Sequence, residues 1–532
     1  MKFGQIRKPL ALLALTALAA CGGSTAPLTV VPTSPPATGP AILTRIVGVG
    51  DSLTAGYQSG ALLGAPCCVG AGIAGSIPNP LATGTAAAGL GVTPGQQAGF
   101  WAQFYAQATG VNFAFMSTPT VSPLPLIGGP GLGNQIVNAN PALTGGFPFG
   151  TLPTSSSCSP FNQAAFTLSG ALRTVREQPG AGTVFDLGVP GITMHEAITM
   201  NRPTSPTCLP IPGATPTISA LQAVTAGQSS MFYPILGNFN NLGANNTELN
   251  AAVSLRPTLA TVWLGANDLL QYSFSGGKFV GGNNSAAQSQ ADMTRIITAL
   301  QKTGTHVIVA NLPNILIAPQ FMSVATPPSA AACQVQTFLV CVLTELGLPQ
   351  AEAAAITAQI ATQYNLAPNG YLTESGAILA VTEILKGQPV NLDPAGAGSG
   401  LGAYYLTPAF AARVQSLNTA LNTGIDNAAA ATHVPLVDVT TIFNGIASGN
   451  PANPYFAQAA SISPGKCCTA AFGGGIFSFD GLHPSNTGYA LIANAFIQAA
   501  DTAYGQTIGP INPTAVYNGT GYLPYPDPYA RH

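Results

Sequence analysis

Charge is what this chain has least of. Asp, Glu, Lys and Arg make up 6% of its 532 residues, and 15 basic against 17 acidic side chains leave a net charge of −2. No stretch gathers Lys and Arg into a basic face, which excludes nucleic acid as a partner. Histidine is scarce too, at five. The adjacent cysteines Cys67-Cys68 and Cys467-Cys468 lack the intervening residues of a tetrahedral zinc site, so no metal or other cofactor is expected. Beyond the first 21 residues the apolar stretches are broken by Gly, Pro and polar residues, and none reads as a membrane span. The two tryptophans, Trp101 and Trp263, sit in segments that read as core, which argues against an aromatic sugar platform. What is plentiful is Gly (61) and Pro (46), beside 47% hydrophobic residues. That combination points to a globular chain with long ordered loops rather than to disorder.

The N-terminus reads as an export signal. Lys2, Arg7 and Lys8 precede the apolar run Leu10–Ala20, which is too short to cross a bilayer. Residues 1–20 are therefore expected to be a signal peptide. The run ends Leu18-Ala19-Ala20-Cys21, which resembles the lipobox of bacterial lipoproteins. That resemblance implies cleavage before Cys21, lipid on its sulfur and a place in the cell envelope. Gly22 in place of Asp points, by the same resemblance, to the outer membrane. Residues 21–41 then form an uncharged Ser/Thr/Pro/Gly-rich tether. Eight cysteines remain after Cys21, an even number that reads as disulfides in an exported chain.

Length alone suggests several domains, but the motifs run from Asp51 to His483, so one domain is expected over 42–503. Its predicted strands are Ile42–Gly50, Thr183–Leu187, Thr258–Leu264, His306–Ala310 and Val434–Val439. Helices are predicted over Phe100–Ala108, Ala286–Thr303, from Thr407-Pro408 onward, and to about Ala503. In Ala286–Thr303, Met293, Ile296, Ile297 and Leu300 make an i, i+3, i+4, i+7 stripe. The strand–helix–strand unit over residues 258–310 implies a parallel pair. Insertions are read near 58–97, 118–170, 202–250 and 315–400, with a Pro/Tyr-rich tail over 504–532.

Three motifs follow strands or loops in order. Gly50-Asp51-Ser52-Leu53 places a serine just off a strand, where an open α/β sheet presents a nucleophile. Gly265-Ala266-Asn267-Asp268 comes next, and Asp480-Gly481-Leu482-His483-Pro484 last, with Pro190-Gly191-Ile192-Thr193 between the first two. Together they resemble the SGNH/GDSL hydrolase family. The resemblance implies an α/β fold, a three-layer α/β/α flavodoxin-like core with a mainly parallel sheet, and hydrolysis of esters or thioesters.

The residue types suit that chemistry. A serine hydroxyl needs a base. His483 is the histidine with a carboxylate three residues before it, so Asp480 can orient its ring. His195, His306 and His433 lack such a neighbour and read as structural. By the resemblance, the oxyanion of the reaction meets the backbone N–H groups of Ser52 and Gly191 and the side-chain amide of Asn267. Gly188 lies in the same turn, but Gly191 fits the family's second block. Asp51 and Asp268 read as loop braces that accept backbone N–H bonds. The long inserts between motifs are candidates for a lid or an acyl-binding wall.

The expected function is an exported, lipid-anchored serine esterase or lipase acting on neutral short-to-medium acyl esters. Its partners would be a small-molecule or lipid ester and, through the anchor, a membrane. A glycan O-acetylesterase of the same fold and an inactive envelope-binding lipoprotein are the alternatives. In the family's arrangement the loops carrying Ser52 and His483 meet, so two bridges between Cys67-Cys68 and Cys467-Cys468 would clamp the mouth of the site. Cys333–Cys341 then closes a local loop and Cys158–Cys208 is left, among the 105 pairings that eight cysteines allow. Non-reducing peptide mapping checks this: peptides holding Cys67 and Cys68 should be linked to those holding Cys467 and Cys468, and their separation refutes the clamp.

Overall fold

The computed structural model describes residues 41–58, 95–111, 184–200, 245–323, 349–373, 404–462, 476–478 and 481–523, apart from a few positions inside these spans, plus isolated positions such as Leu236 and Asp527. The expectations for the signal peptide, Cys21, the tether, the other eight cysteines and Asp480 lie outside the described residues.

The chain enters the sheet with β1 (Ile46–Gly50), whose five residues are all buried. It starts later than the sequence suggested. Ala41–Leu43 make a 3₁₀ turn, and Arg45 is held outside the core, its guanidinium on the Leu255 carbonyl at 2.8 Å. α1 (Phe100–Thr109) follows, stopped by Gly110 in the left-handed region. Trp101 and Phe104 from its apolar face are fully buried. Residues 184–189 then run beside β1. Gly48 N–H donates to the Phe185 carbonyl at 2.9 Å, Leu187 N–H to that of Gly48 at 3.0 Å, and Val189 N–H to that of Gly50 at 2.9 Å.

Next come α2 (Glu248–Ser254), β2 (Leu259–Trp263), α3 (Ala266–Phe274), α4 (Ala286–Gln301) and β3 (His306–Ala310). The insert after β3 contains β4 (Phe321–Ser323), α5 (Gln350–Gln363) and β5 (Tyr371–Thr373), and β6 (Tyr405–Leu406) closes it. α6 (Pro408–Thr432), β7 (Leu436–Val437), α7 (Val439–Ala447), α8 (Pro454–Ile462), α9 (Asn486–Tyr504) and α10 (Pro513–Asn518) follow. The strand expected over Val434–Val439 keeps only Leu436 and Val437. Asp438 caps α7, accepting the Thr441 N–H at 3.0 Å, and turns the chain away.

β1, β2, β3 and β7 form a parallel sheet in that order, with residues 184–189 outside β1. In chain sequence this is the 2-1-3-4-5 order of a flavodoxin-like fold, and its switch point lies between β1 and β2. α4 and α6 pack on each other, with α4 against β3; α1 and α9 pack on each other, with α9 against β3 and β7. Every residue of β1 and β2 is buried, so both faces of the sheet are covered and the core is three-layered. Met293, Ile296, Ile297 and Leu300 of α4 are wholly buried, as their spacing requires.

The insert carries its own antiparallel sheet, β4-β5-β6, over a small core of Met322, Ala353, Ile360 and Leu372. Its root is tied to the loop before His483: the Gln320 N–H donates to the Gly481 carbonyl at 2.8 Å. The tail is tied in as well. Buried Asp527 accepts the Thr487 N–H at 2.7 Å and its hydroxyl at 2.6 Å, capping the first turn of α9. Among the described residues no helix is long and apolar enough to cross a membrane.

The α4–α6 contact depends on Gly424. A methyl there would lie 2.4 Å from the Ala286 carbonyl oxygen and 2.7 Å from the Gln290 nitrogen. Alanine is the better helix former by up to about 1 kcal/mol, but these are backbone atoms that cannot swing aside, and overpacking of this kind costs about 1–3 kcal/mol. Gly424→Ala should therefore lower Tm despite its helix propensity, as read in a thermal melt against wild type.

Candidate active site

Gly50 pairs with Trp263 across β1 and β2, so the two strands end level and their loops leave side by side. After Gly50 the chain winds into a helical turn, with Ala55 N–H on the Asp51 carbonyl and Tyr57 N–H on that of Ser52 at 3.0 and 2.9 Å. Asp51 Oδ1 accepts the Leu53 N–H at 3.0 Å, which fixes the direction of the serine. Asn267 follows β2 at the start of α3. Its amide donates to the Ile192 carbonyl at 3.0 Å and to Asp51 Oδ2 at 3.3 Å, so one side chain joins the Ser52 turn to the Gly191 loop.

Ser52 Oγ lies 2.9 Å from His483 Nε2, both buried, across 431 positions of sequence. The Tyr57 ring packs on the imidazole at 4.7 Å. His483 is set by its neighbours along the chain: Ser478 N–H donates to its carbonyl at 2.8 Å, and Ser485 caps α9 by accepting the Gly488 N–H. Gly191 has φ 85°, a conformation that suits glycine, and its carbonyl accepts from Gln271 Nε2 at 3.0 Å. Gly188, the other glycine of that turn, directs its N–H to Asp186 Oδ1 at 3.1 Å. Asp268 accepts the N–H groups of Met194 and Asn283.

The structure thus gathers Ser52, Gly191, Asn267 and His483 at one end of the sheet. His195 is not partnerless as the local sequence suggested: its Nδ1 is 3.0 Å from Asp292 Oδ2, at the surface. His306 packs edge-on to Tyr504, and His433 caps α6 in the left-handed region.

An apolar cavity of about 40 Å³ opens beside the serine and histidine. Leu270, Ile315, Phe443 and Phe477 line it, and no Asp, Glu, Lys or Arg is among its described lining residues. Trp263 also borders it while donating Nε1–H to the Asn311 carbonyl at 3.0 Å. Sequence reasoning missed these wall residues, along with Tyr57 and Gln271. The tyrosine's nearness to Ser52 in the chain was an available signal; the others are brought in by distant elements.

The model of the GDSL-like Lipase/Acylhydrolase family matches residues 211–496, more than half of the chain. The chain belongs to this family. No curated protein matches it. The family implies ester or acyl hydrolysis. Its matched span holds Asn267 and His483 and begins beyond Ser52 and Gly191; the fold reunites the two halves of the site. Among the described residues of this GDSL-like hydrolase, no group of three or more His, Cys, Asp or Glu is placed to hold a metal ion.

The site rests on buried carboxyls. Burial pushes Asp51 up to about 7, against the opposing pull of the Leu53 N–H and of His483. Burial likewise raises Asp268 to about 7, against the N–H groups of Met194 and Asn283. Unfolded, such groups titrate near ~4. Between those values the folded chain holds more protons than the unfolded one, so stability falls as pH rises from about 4 to about 7. Tm measured across that range should decline, and Asp268→Asn, neutral throughout, should make the decline shallower. A Tm that climbs steadily over the range would contradict this assignment.

Proposed function

We propose that this chain is an exported, lipid-anchored serine hydrolase of carboxylic esters with neutral, short acyl groups. The observation that carries the reading is the buried 2.9 Å contact between Ser52 Oγ and His483 Nε2 at the edge of an uncharged apolar cavity. In this reading His483 takes the Ser52 proton as Oγ attacks the ester carbonyl, then returns it to the leaving alcohol; water repeats the sequence on the acyl-enzyme. Asp480 would orient the imidazole. The oxyanion would be met by the N–H groups of Ser52 and Gly191 and by the Asn267 amide, whose longer bond to Asp51 is the one to redirect. The lipid anchor and envelope location rest on the basic start, the apolar run and the Leu-Ala-Ala-Cys21 sequence.

The cavity supports a short acyl chain. Its walls are apolar and uncharged, and each methylene buried there should contribute about 0.8 kcal/mol, or about fourfold in kcat/KM. Rates on p-nitrophenyl esters should rise from acetyl to butyryl and then level off. Strict preference for acetyl, with release of acetate from an acetylated polysaccharide, would favour the glycan O-acetylesterase instead.

Ser52→Ala and His483→Ala should abolish turnover and, for Ser52→Ala, labelling by a fluorophosphonate. Asn267→Ala should lower kcat by roughly a hundredfold with little change in KM. A folded Ser52→Ala enzyme that keeps most of the wild-type rate refutes the nucleophile, and an unlabelled wild type points to an inactive binding lipoprotein.

A further inference from the structure

The ladder between β1 and residues 184–189 lacks one bond near its end. Gly48 N–H reaches the Phe185 carbonyl and Gly50 O receives the Val189 N–H. Two residues on, the parallel pattern calls for Gly50 N–H to reach the Leu187 carbonyl. It goes instead to Glu248 Oε1, at 2.6 Å. Glu248 opens α2, a position where a glutamate usually faces water, yet it is fully buried. Its carboxyl is therefore wedged into the sheet at the last residue before Asp51-Ser52, where the chain must leave the ladder to form the serine turn.

The rest of the carboxyl has no partner of the ordinary kind. Glu248 Oε2 and Asp186 Oδ2 are both buried without a hydrogen-bond partner among the described residues. The charges acting on Glu248 are those of Asp51 and Asp186, both acidic. Carboxylates crowded in an apolar interior do not all ionise, because each raises the cost of the next. Burial holds Glu248 and Asp186 well above the usual carboxylate range. A proton on Glu248 removes a buried charge that no cation beside it among the described residues offsets.

We propose that Glu248 is a positioning residue for the Ser52 turn and that it works as a neutral acid, accepting from Gly50 N–H. The inference takes the esterase reading of Ser52 as given for its kinetic arm, whereas its spectroscopic arm reads the proton without turnover. Glu248→Gln reproduces a neutral acid in shape and polarity: its carbonyl can accept from Gly50 without bringing a charge into the site. Glu248→Ala leaves the Gly50 N–H without its acceptor.

The test compares both variants with wild type by p-nitrophenyl butyrate kinetics, thermal melting and infrared difference spectra at neutral pH. E248A should lose kcat by roughly tenfold to a hundredfold, the scale of a small misplacement of a reacting group, with KM little changed. E248Q should restore turnover to near the wild-type level. The wild-type-minus-E248Q spectrum should show the carbonyl stretch of a protonated carboxylic acid. If E248A does not fold, the E248Q and infrared results still decide. An E248Q enzyme as impaired as E248A, a folded E248A with wild-type kcat, or a spectrum with carboxylate bands only would overturn the proposal.

Discussion

The register between β1 and β2 is the constraint on which the site depends. Ile46 pairs with Leu259 and Gly50 with Trp263, so two loops more than 200 residues apart leave the sheet at the same height. A two-residue slip, which keeps the same residues facing each side, would leave the packing pattern intact but move the Asn267 amide about 7 Å along the strand from Asp51. The Ser52 turn would then lose its link to the Gly191 loop. Large apolar groups fix the register. Phe100 meets Trp263 edge-on at 5.3 Å and stacks on Phe496 at 4.8 Å, while Trp101 lies against Gly48, where any side chain would collide with its ring. The chemistry at the strand ends is thus set by packing a few residues below.

That dependence explains what could be read from the sequence. The strands around Val47, Val262 and Ile308 were legible because β-branched residues between turn signals are a local signature. α4 was legible from its apolar stripe and α6 from Thr407-Pro408, whose threonine accepts the Phe410 N–H as a cap. Ser52, Asn267 and His483 were legible because their neighbours in the chain mark them. The misses share a cause. α3 starts three residues after β2 ends, and its polar first turn reads as a loop. The sheet β4-β5-β6 consists of two- and three-residue strands, too short for an alternating pattern. His195 finds Asp292 at a distance of 97 positions, and Gly50 finds Glu248 at 198. A partner supplied by tertiary structure leaves no mark beside the residue that uses it.

The inserts have a more definite place than their composition suggested. Residues 313–318, the root of the long insert, form part of the cavity wall, and Gln320 is bonded to the loop before His483. The same segment therefore bounds the cavity and steadies the loop of the histidine. An alteration in it could change both substrate fit and the placement of His483, so acyl preference and turnover are mechanically linked in this region.

The way the ends of the chain are used has a consequence for when the site comes into being. Ser52 is made early and His483 more than four hundred residues later. The turn that follows the histidine is capped by Asp527, which lies 40 positions beyond Thr487. A chain emerging from the ribosome begins with its N-terminal parts, so Ser52 is made well before its neighbour in the fold. The contact between Ser52 and His483 can form only after the 431 positions between them have been made.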